Sequence, residues 1–405
     1  MIIKRVVAMP TLNPSFSHLD GEYIFAIIDR KLIELKKKLQ SVDLINLSIG
    51  DIALPLAPSI ATAITKATQE MSTPQGLKGY PPTYGYDFLQ DAIVSREFSG
   101  LNIDSKEIYI SDGTNSDVVN IQELFSPSAV IAFTNPTYPA YFNASVINGR
   151  TNAIFLPCLP ENNFTPQPPQ QHCDVIYLCS PNNPTGTALT KKALEGWVSY
   201  AHAHEAIIIL DSAYASFASS PDVPKSIYEI PGAHTCAVEC RSFSKSAGFT
   251  GLRCAYTVIP KTVIGKIGHT QIPLHKLWEK RLDIKFNGVA YPIQRGAEAA
   301  LSADGRRETA AQVAVYLSLA KQLKEGLTRL GQACWGGTDS PYIWWKTPSG
   351  KTSLEFFDQL LGSCHLISVP GTGFGSAGEG YVRLSAFSSL EKIDLALNRI
   401  RNMMG

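Results

Sequence analysis

The sequence has no apolar run long enough to cross a membrane. Stretches such as Ala206–Leu210 have the length of a strand, far below the ~20 residues of a spanning helix. It also lacks an excess charge: 36 Lys and Arg face 35 Asp and Glu, a formal net charge of +1. That excludes a nucleic-acid reader built on a global positive field and a disordered acidic or polybasic chain. Residues 1–19 carry two basic side chains but no leader-like apolar segment, and Pro10, Asn13 and Pro14 interrupt them early. A cytosolic protein with no membrane partner is expected.

Cysteine pairing is missing as well. The eight cysteines, at 158, 173, 179, 236, 240, 254, 334 and 364, include no C-x-x-C pair. Cys179, Cys240 and Cys254 lie in or beside apolar runs, where a free cysteine acts as a small hydrophobe. The length and spacing give no disulfide framework. The eight histidines do not cluster, so no metal site is expected. There is no internal repeat, and the only biased stretch is Pro166–Gln171, read as a surface loop.

What is present is a large globular chain. Its 405 residues, 44% hydrophobic, allow two or three domains of ~150 residues around sizeable cores. The middle alternates short apolar runs with amphipathic stretches. Glu107–Ile110, Ala129–Phe133, Asp174–Cys179, Ala206–Leu210, Thr235–Cys240 and Cys254–Ile259 read as strands. Their nearly continuous apolar character marks strands covered on both faces, as in a parallel sheet. Helices are expected at Ser116–Phe125, capped by Asn115 or Asp117, and at Thr190–His204, capped by Thr190. In the last third, Tyr291–Ala303 and Thr309–Leu330 read as helices. Tyr342–Lys346, His365–Val369 and Tyr381–Ser385 read as short strands, so a smaller α+β domain is expected. The N-terminal helix, Phe25–Leu39, is expected to pack on it.

Four polar stretches follow expected strands, at the edge where open α/β sheets bind ligands. Ser180-Pro-Asn-Asn-Pro-Thr-Gly186 is a rigid turn whose amides could hold a ligand oxygen, or simply a turn. Asp211-Ser-Ala-Tyr214 sets a carboxylate and a phenol at a strand end, or a helix cap. Ser242-Phe-Ser-Lys245, with Arg253 further on, offers a nucleophilic amine. Ser242-x-x-Lys245 also fits an acyl-enzyme motif, but that reading needs S-D-N and K-T-G. Ser111-Asp112-Gly113 and Lys351-Thr352-Ser353 each miss by one residue. Ser111-Asp-Gly-Thr-Asn115 precedes a helix, where exposed N–H groups favour an anion.

In order and spacing these stretches resemble the class I/II pyridoxal-phosphate aminotransferases of fold type I, over about residues 20 to 390. The resemblance implies a large α/β domain with a mainly parallel seven-stranded sheet, plus the smaller domain. The divisions expected are an arm over 1–58, a cofactor domain over 59–290 and a small domain over 291–405. It implies that Lys245 forms the Schiff base with the cofactor and that Asp211 pairs with the ring nitrogen. Asn183 and Tyr214 would hold the ring hydroxyl, and Tyr138 would stack on the ring. Thr114, Asn115, Ser242, Ser244 and Arg253 would cradle the phosphate, and Arg383 would grip the substrate carboxylate. A phosphate of about −1.5 to −2 charge suits an arginine fork, and a carboxylate suits bidentate Arg383.

Other stretches resemble the LL-diaminopimelate aminotransferase family: Glu22-Tyr-Ile-Phe25, Leu47-Ser-Ile-Gly-Asp51, Gly79-Tyr80, Gly85–Leu89, Lys285-Phe-Asn-Gly288 and Gly371-Thr-Gly-Phe-Gly375. A Rossmann reading of the last glycines is poor, because a short strand follows rather than a helix. The resemblance implies a cytoplasmic homodimer serving lysine and peptidoglycan precursor synthesis. Tyr80 would reach the partner subunit's cofactor; Tyr23, Gly50 and Asn287 would touch substrate. Two positions depart from the family: Asn115 replaces its usual lysine, and Thr83, in Pro81-Pro-Thr-Tyr-Gly85, replaces its glutamate. The second leaves a diamino acid's distal ammonium without a fixed charge and implies broadened donor choice. Alternatives are a general aromatic, alanine or aspartate aminotransferase, a carbon–sulfur β-lyase, and a non-catalytic regulator on the same fold; Lys245 argues against the last.

Overall fold

Apolar runs flanked by turn residues become strands buried on both faces. In the computed structural model, which describes residues 10–19, 24–38 and 43–404, seven of them form one sheet. The order is Ile108–Ser111, Ala255–Val258, Ala237–Ser242, Ile207–Asp211, Val175–Cys179, Ile131–Asn135, Ala153–Pro157. The last five in that order are parallel. Ala255–Val258 runs antiparallel to both its neighbours. All residues of Val175–Cys179 and Ile207–Asp211 are buried. The reversed strand matters for function: it begins at the edge where the other six end. The residues before Ala255 therefore meet those following Ser111, Asn135, Cys179, Asp211 and Ser242.

The six expected strands lie within two residues of their expected bounds. The seventh, Ala153–Pro157, was not expected. It is a partly exposed edge strand, the one kind that tolerates a proline, which cannot donate to a ladder.

Helix Lys191–His204 starts where Thr190 accepts a hydrogen bond from the Ala193 N–H at 3.2 Å. It buries Leu194, Trp197, Val198 and Ala201, the spacing of one helical face. The preceding helix corrects the expected cap. It spans Thr114–Asn120 with Gly113 at the N-cap, so Asn115 and Asp117 lie inside it. The Asp117 carboxylate is taken by Ser111, whose hydroxyl donates to it at 2.5 Å.

The second sheet has four antiparallel strands in the order Cys334–Gly336, Tyr342–Lys346, Tyr381–Ser385, Val369–Pro370. Helices Ala303–Arg329, Ser353–Cys364 and Leu390–Met404 supply Leu323, Phe356 and Ile393 to its core with Ile343, Trp345 and Val382. The strand expected at His365–Val369 is split, because its halves pair differently. Leu366–Ile367 runs parallel to Ile45–Asn46, and Val369–Pro370 joins Tyr381–Ser385. Helix Ile24–Lys38 brings Ile24 and Ile28 against Trp344, Phe357 and Phe374. Helix Tyr291–Leu301 places Ala297, Ala300 and Leu301 in the core of the large sheet, on the far side of the division expected at residue 290.

No helix among the described residues is long and apolar enough to cross a membrane. All eight cysteines are free, and all but Cys334 are buried. Thr190→Ala removes the cap of Lys191–His204 and is expected to lower stability by about 1 kcal/mol, read as a lower urea midpoint with unchanged slope.

Candidate active site

The common strand edge and the second sheet enclose a cavity of about 500 Å3. From the large sheet, Thr114, Asn115, Tyr138, Asn183, Asp211, Tyr214, Ser242, Ser244, Lys245 and Arg253 line it. Gly50 and Arg383 close it from the other side. Three cations, Lys245, Arg253 and Arg383, face it against Asp211 and Asp29, a balance that suits an anionic occupant.

Asp211 ends its strand and is buried, with 7% of its surface exposed at the cavity. Burial pushes its carboxyl above the usual range, while hydrogen bonds pull the other way. The Tyr141 hydroxyl donates to Oδ2 at 2.6 Å and the Ala213 N–H to Oδ1 at 3.0 Å. Asp211 has no cationic partner among the described residues, so its environment favours a positive group in the cavity.

Lys245 lies in the short helix Phe243–Ser246, which starts where Ser242 accepts from the Ser244 N–H at 3.0 Å. Its ammonium donates to the Gly50 carbonyl. Burial is the main reason its pKa falls from 10.5 to about 8, and Arg253 and Arg383 add repulsion. The amine is therefore poised to lose its proton near neutrality.

Arg253 adopts a left-handed backbone, φ 64°, an uncommon conformation for a side-chain-bearing residue. Its guanidinium donates to the Thr250 carbonyl at 3.0 Å and to Ser244 Oγ at 3.4 Å. Gly113 packs directly on it: a Cβ there would collide with Arg253 Nη2. The buried hydroxyl of Thr114 has no partner among the described residues. Together these make a cluster of donors at the start of helix Thr114–Asn120. Asn115 instead accepts from the Tyr138 hydroxyl at 3.1 Å.

Arg383 is buried in the middle of its strand. It donates to Asn183 Oδ1 and to the Ser48 carbonyl, each at 2.6 Å, and its Nε has no partner among the described residues. A guanidinium can only donate, so Asn183 turns its oxygen to Arg383 and keeps its NH2 for a ligand. Tyr214 pairs hydroxyl to hydroxyl with Tyr342 at 2.6 Å, and burial holds both phenols above their usual range.

Two expected residues, Tyr80 and Asn287, are not in this cavity. Tyr80 is 90% exposed and Asn287 is exposed, both on the outer surface of this single chain. Tyr23 lies outside the described residues. The Tyr80 and Asn287 segments touch, with Gly288 backing onto Pro81 and Pro82. The sequence reading also missed cavity residues: Tyr141, Tyr342, Ser48 and Cys179. Tyr141, one helical turn beyond Tyr138, carried a usable signal. Tyr342 carried none, because in Tyr-Ile-Trp-Trp-Lys346 it reads as a core strand residue.

The sequence matches the family of class I and II aminotransferases over residues 42–400. The chain belongs to this family and is an aminotransferase. It is 43% identical to an LL-diaminopimelate aminotransferase of Methanosphaera stadtmanae, covering 97% of this chain and 98% of that one. It is 45% identical to one of Agathobacter rectalis, covering 96% and 99%. Among solved structures, the L,L-diaminopimelate aminotransferase from Chlamydomonas reinhardtii superposes with a TM-score of 0.93 at 38% identity, covering 98% and 99%. A Thermus thermophilus aspartate aminotransferase mutant shares the fold, with a TM-score of 0.86 at 23% identity over 98% and 100% of the two chains.

The Lys245 environment makes a cofactor-independent prediction. Burial disfavours the charged form, so the fraction of reactive free amine should rise through a midpoint near pH 8 rather than 10.5. Reductive methylation of Lys245 followed against pH checks it. A midpoint at the ordinary lysine value contradicts the desolvated placement.

Proposed function

We propose that the chain catalyses pyridoxal-phosphate-dependent transamination of LL-2,6-diaminopimelate with 2-oxoglutarate, giving tetrahydrodipicolinate, glutamate and water. The observation that carries this reading is the buried, cation-free Asp211 facing the same cavity as the desolvated amine of Lys245. The names and extent of the most similar relatives support the substrate.

The donor set fits the cofactor. The unpartnered Thr114 hydroxyl, Ser242, Ser244 and Arg253 supply donors and positive charge for a phosphate. Asn115 brings an amide and no charge, so the positive charge rests on Arg253. Asp211 offers the counter-charge for a protonated ring nitrogen, and Tyr138 offers an aromatic face. Asn183 and Tyr214 offer an NH2 and a hydroxyl for a ring oxygen. When bound, pyridoxal phosphate supplies the electron sink for the pair left when the substrate Cα loses its proton.

The protein's own part follows from its geometry. Arg383 binds the α-carboxylate through its fork and fixes which Cα bond faces the cavity. Lys245 Nζ, whose lowered pKa makes its neutral form accessible, would accept the Cα proton as a general base and pass it to the cofactor side rather than back to Cα, as exchange of amine for ketone requires. Asp211, hydrogen-bonded by Tyr141 and Ala213, holds positive charge on the ring nitrogen. An interaction of that kind is worth roughly 1.5–3 kcal/mol, or one to two decades of rate when it is expressed in the transition state.

The spectral test uses the whole protein loaded with pyridoxal phosphate. The wild type should convert its visible absorbance with LL-diaminopimelate and with glutamate. Lys245→Ala should bind the cofactor without the lysine-bound band, and Asp211→Asn should fold yet lose about 100-fold or more in turnover. Measurable conversion with other amino donors is expected, because Thr83 supplies no fixed negative charge. Conversion with aromatic donors but not with LL-diaminopimelate would overturn the substrate.

The homodimer belongs to the same proposal. Leu77, Tyr80 and Ile284 are exposed apolar side chains around the touching segments of Tyr80 and Asn287, a surface suited to a second copy. Tyr80→Ala and Lys245→Ala chains should each be impaired alone. Mixed, they should form hybrid dimers with one intact site, recovering up to about a quarter of wild-type activity. No recovery in verified hybrids would mean that each chain builds its site alone.

A further inference from the structure

Three residues of the site converge on one side chain that has been given no role. Tyr342 opens a strand of the four-stranded sheet and is 1% exposed. Its hydroxyl meets that of Tyr214 at 2.6 Å, across from the large sheet. Its ring lies under the Arg383 guanidinium, 4.4 Å from ring centre to the guanidinium carbon. Its hydroxyl fills the space beside Gly50: a Cβ there would collide with it and would sit 3.1 Å from the ring carbon that bears it.

We propose that Tyr342 is a positioning residue that sets the cofactor-facing hydroxyl of Tyr214 and the carboxylate-binding fork of Arg383 together. This rests on the proposed transamination and goes beyond it. The hydroxyl and the ring do separable things. Neither phenol has another hydrogen-bond partner among the described residues. When Tyr342 donates to Tyr214, the Tyr214 proton is left for an acceptor in the cavity. The ring, by its electron-rich face, holds a guanidinium whose Nε has no partner. The side chain also accounts for Gly50, since any larger residue displaces the phenol. Because Tyr342 and Tyr214 belong to different sheets, the contact ties substrate recognition to cofactor polarisation across the cleft.

The test separates ring from hydroxyl in the pyridoxal-phosphate-loaded enzyme. Tyr342→Phe should keep the KM for LL-diaminopimelate within about twofold and lower kcat about tenfold. A weaker donor from Tyr214 disfavours the ionised ring oxygen. The pH midpoint of the bound cofactor's visible absorbance should therefore move up by about half a unit or more. Tyr342→Leu should also raise KM about tenfold. Gly50→Ala should cost less in the Tyr342→Phe background than in the wild type. A Tyr342→Phe enzyme with wild-type midpoint and kcat overturns the proposal. So does one whose only change is lower thermal stability, or an equal cost of Gly50→Ala in both backgrounds. A wild-type protein that neither takes up pyridoxal phosphate nor transaminates overturns the underlying function and this role with it. A wild type that does both, beside an unchanged Tyr342→Phe, overturns this role alone.

Discussion

A buried carboxylate at the cavity, with no cationic partner among the described residues, is the constraint around which this molecule is arranged. Asp211 sits at the end of a central strand, and burial alone pushes it toward the neutral acid. Two donors, Tyr141 and the Ala213 N–H, oppose that shift. They do not replace a counter-ion, because an isolated buried charge is penalised far more than a hydrogen bond returns. A positively charged group in the cavity offsets that penalty, and the proposed pyridinium would supply one.

The sheet makes that arrangement possible through one reversed strand. Five parallel strands deliver loop residues to a single edge. The antiparallel Ala255–Val258 begins at that edge, which lets Arg253 stand opposite Thr114 and Ser244 although it precedes its strand. Gly113 leaves the space that the Arg253 guanidinium occupies. A parallel strand in that place would have sent Arg253 to the far side of the sheet. The same edge holds Lys245 beneath the second sheet, where desolvation and two arginines lower its pKa to about 8.

The second sheet supplies what the first cannot: a fixed guanidinium, the proposed fork for a substrate carboxylate. Arg383 is held in the middle of a strand, bonded to Asn183 of the large sheet and to Ser48 of the N-terminal segment. One guanidinium thus touches three distant parts of the chain.

The sequence by itself determined six strands of the large sheet, the site motifs and the family they resemble. Continuous apolar runs need two covered faces, and Pro, Gly and polar clusters after them mark one sheet edge. Lys245, Asp211, Asn183, Arg253 and Arg383 were legible because each sits in a short motif with a local chemical meaning. Tertiary structure alone decided the rest. The edge strand Ala153–Pro157 and the split at Leu366–Pro370 depend on who pairs with whom, which no local pattern encodes. Asn115 and Asp117 looked like caps, but Ser111 claimed the carboxylate of Asp117 and drew it inside the helix. Tyr342 reads as core in its strand and becomes part of the site only because Tyr214, Arg383 and Gly50, far away in sequence, fold against it. Local chemistry is written in neighbouring residues, whereas convergence of residues far apart in the chain is set by packing.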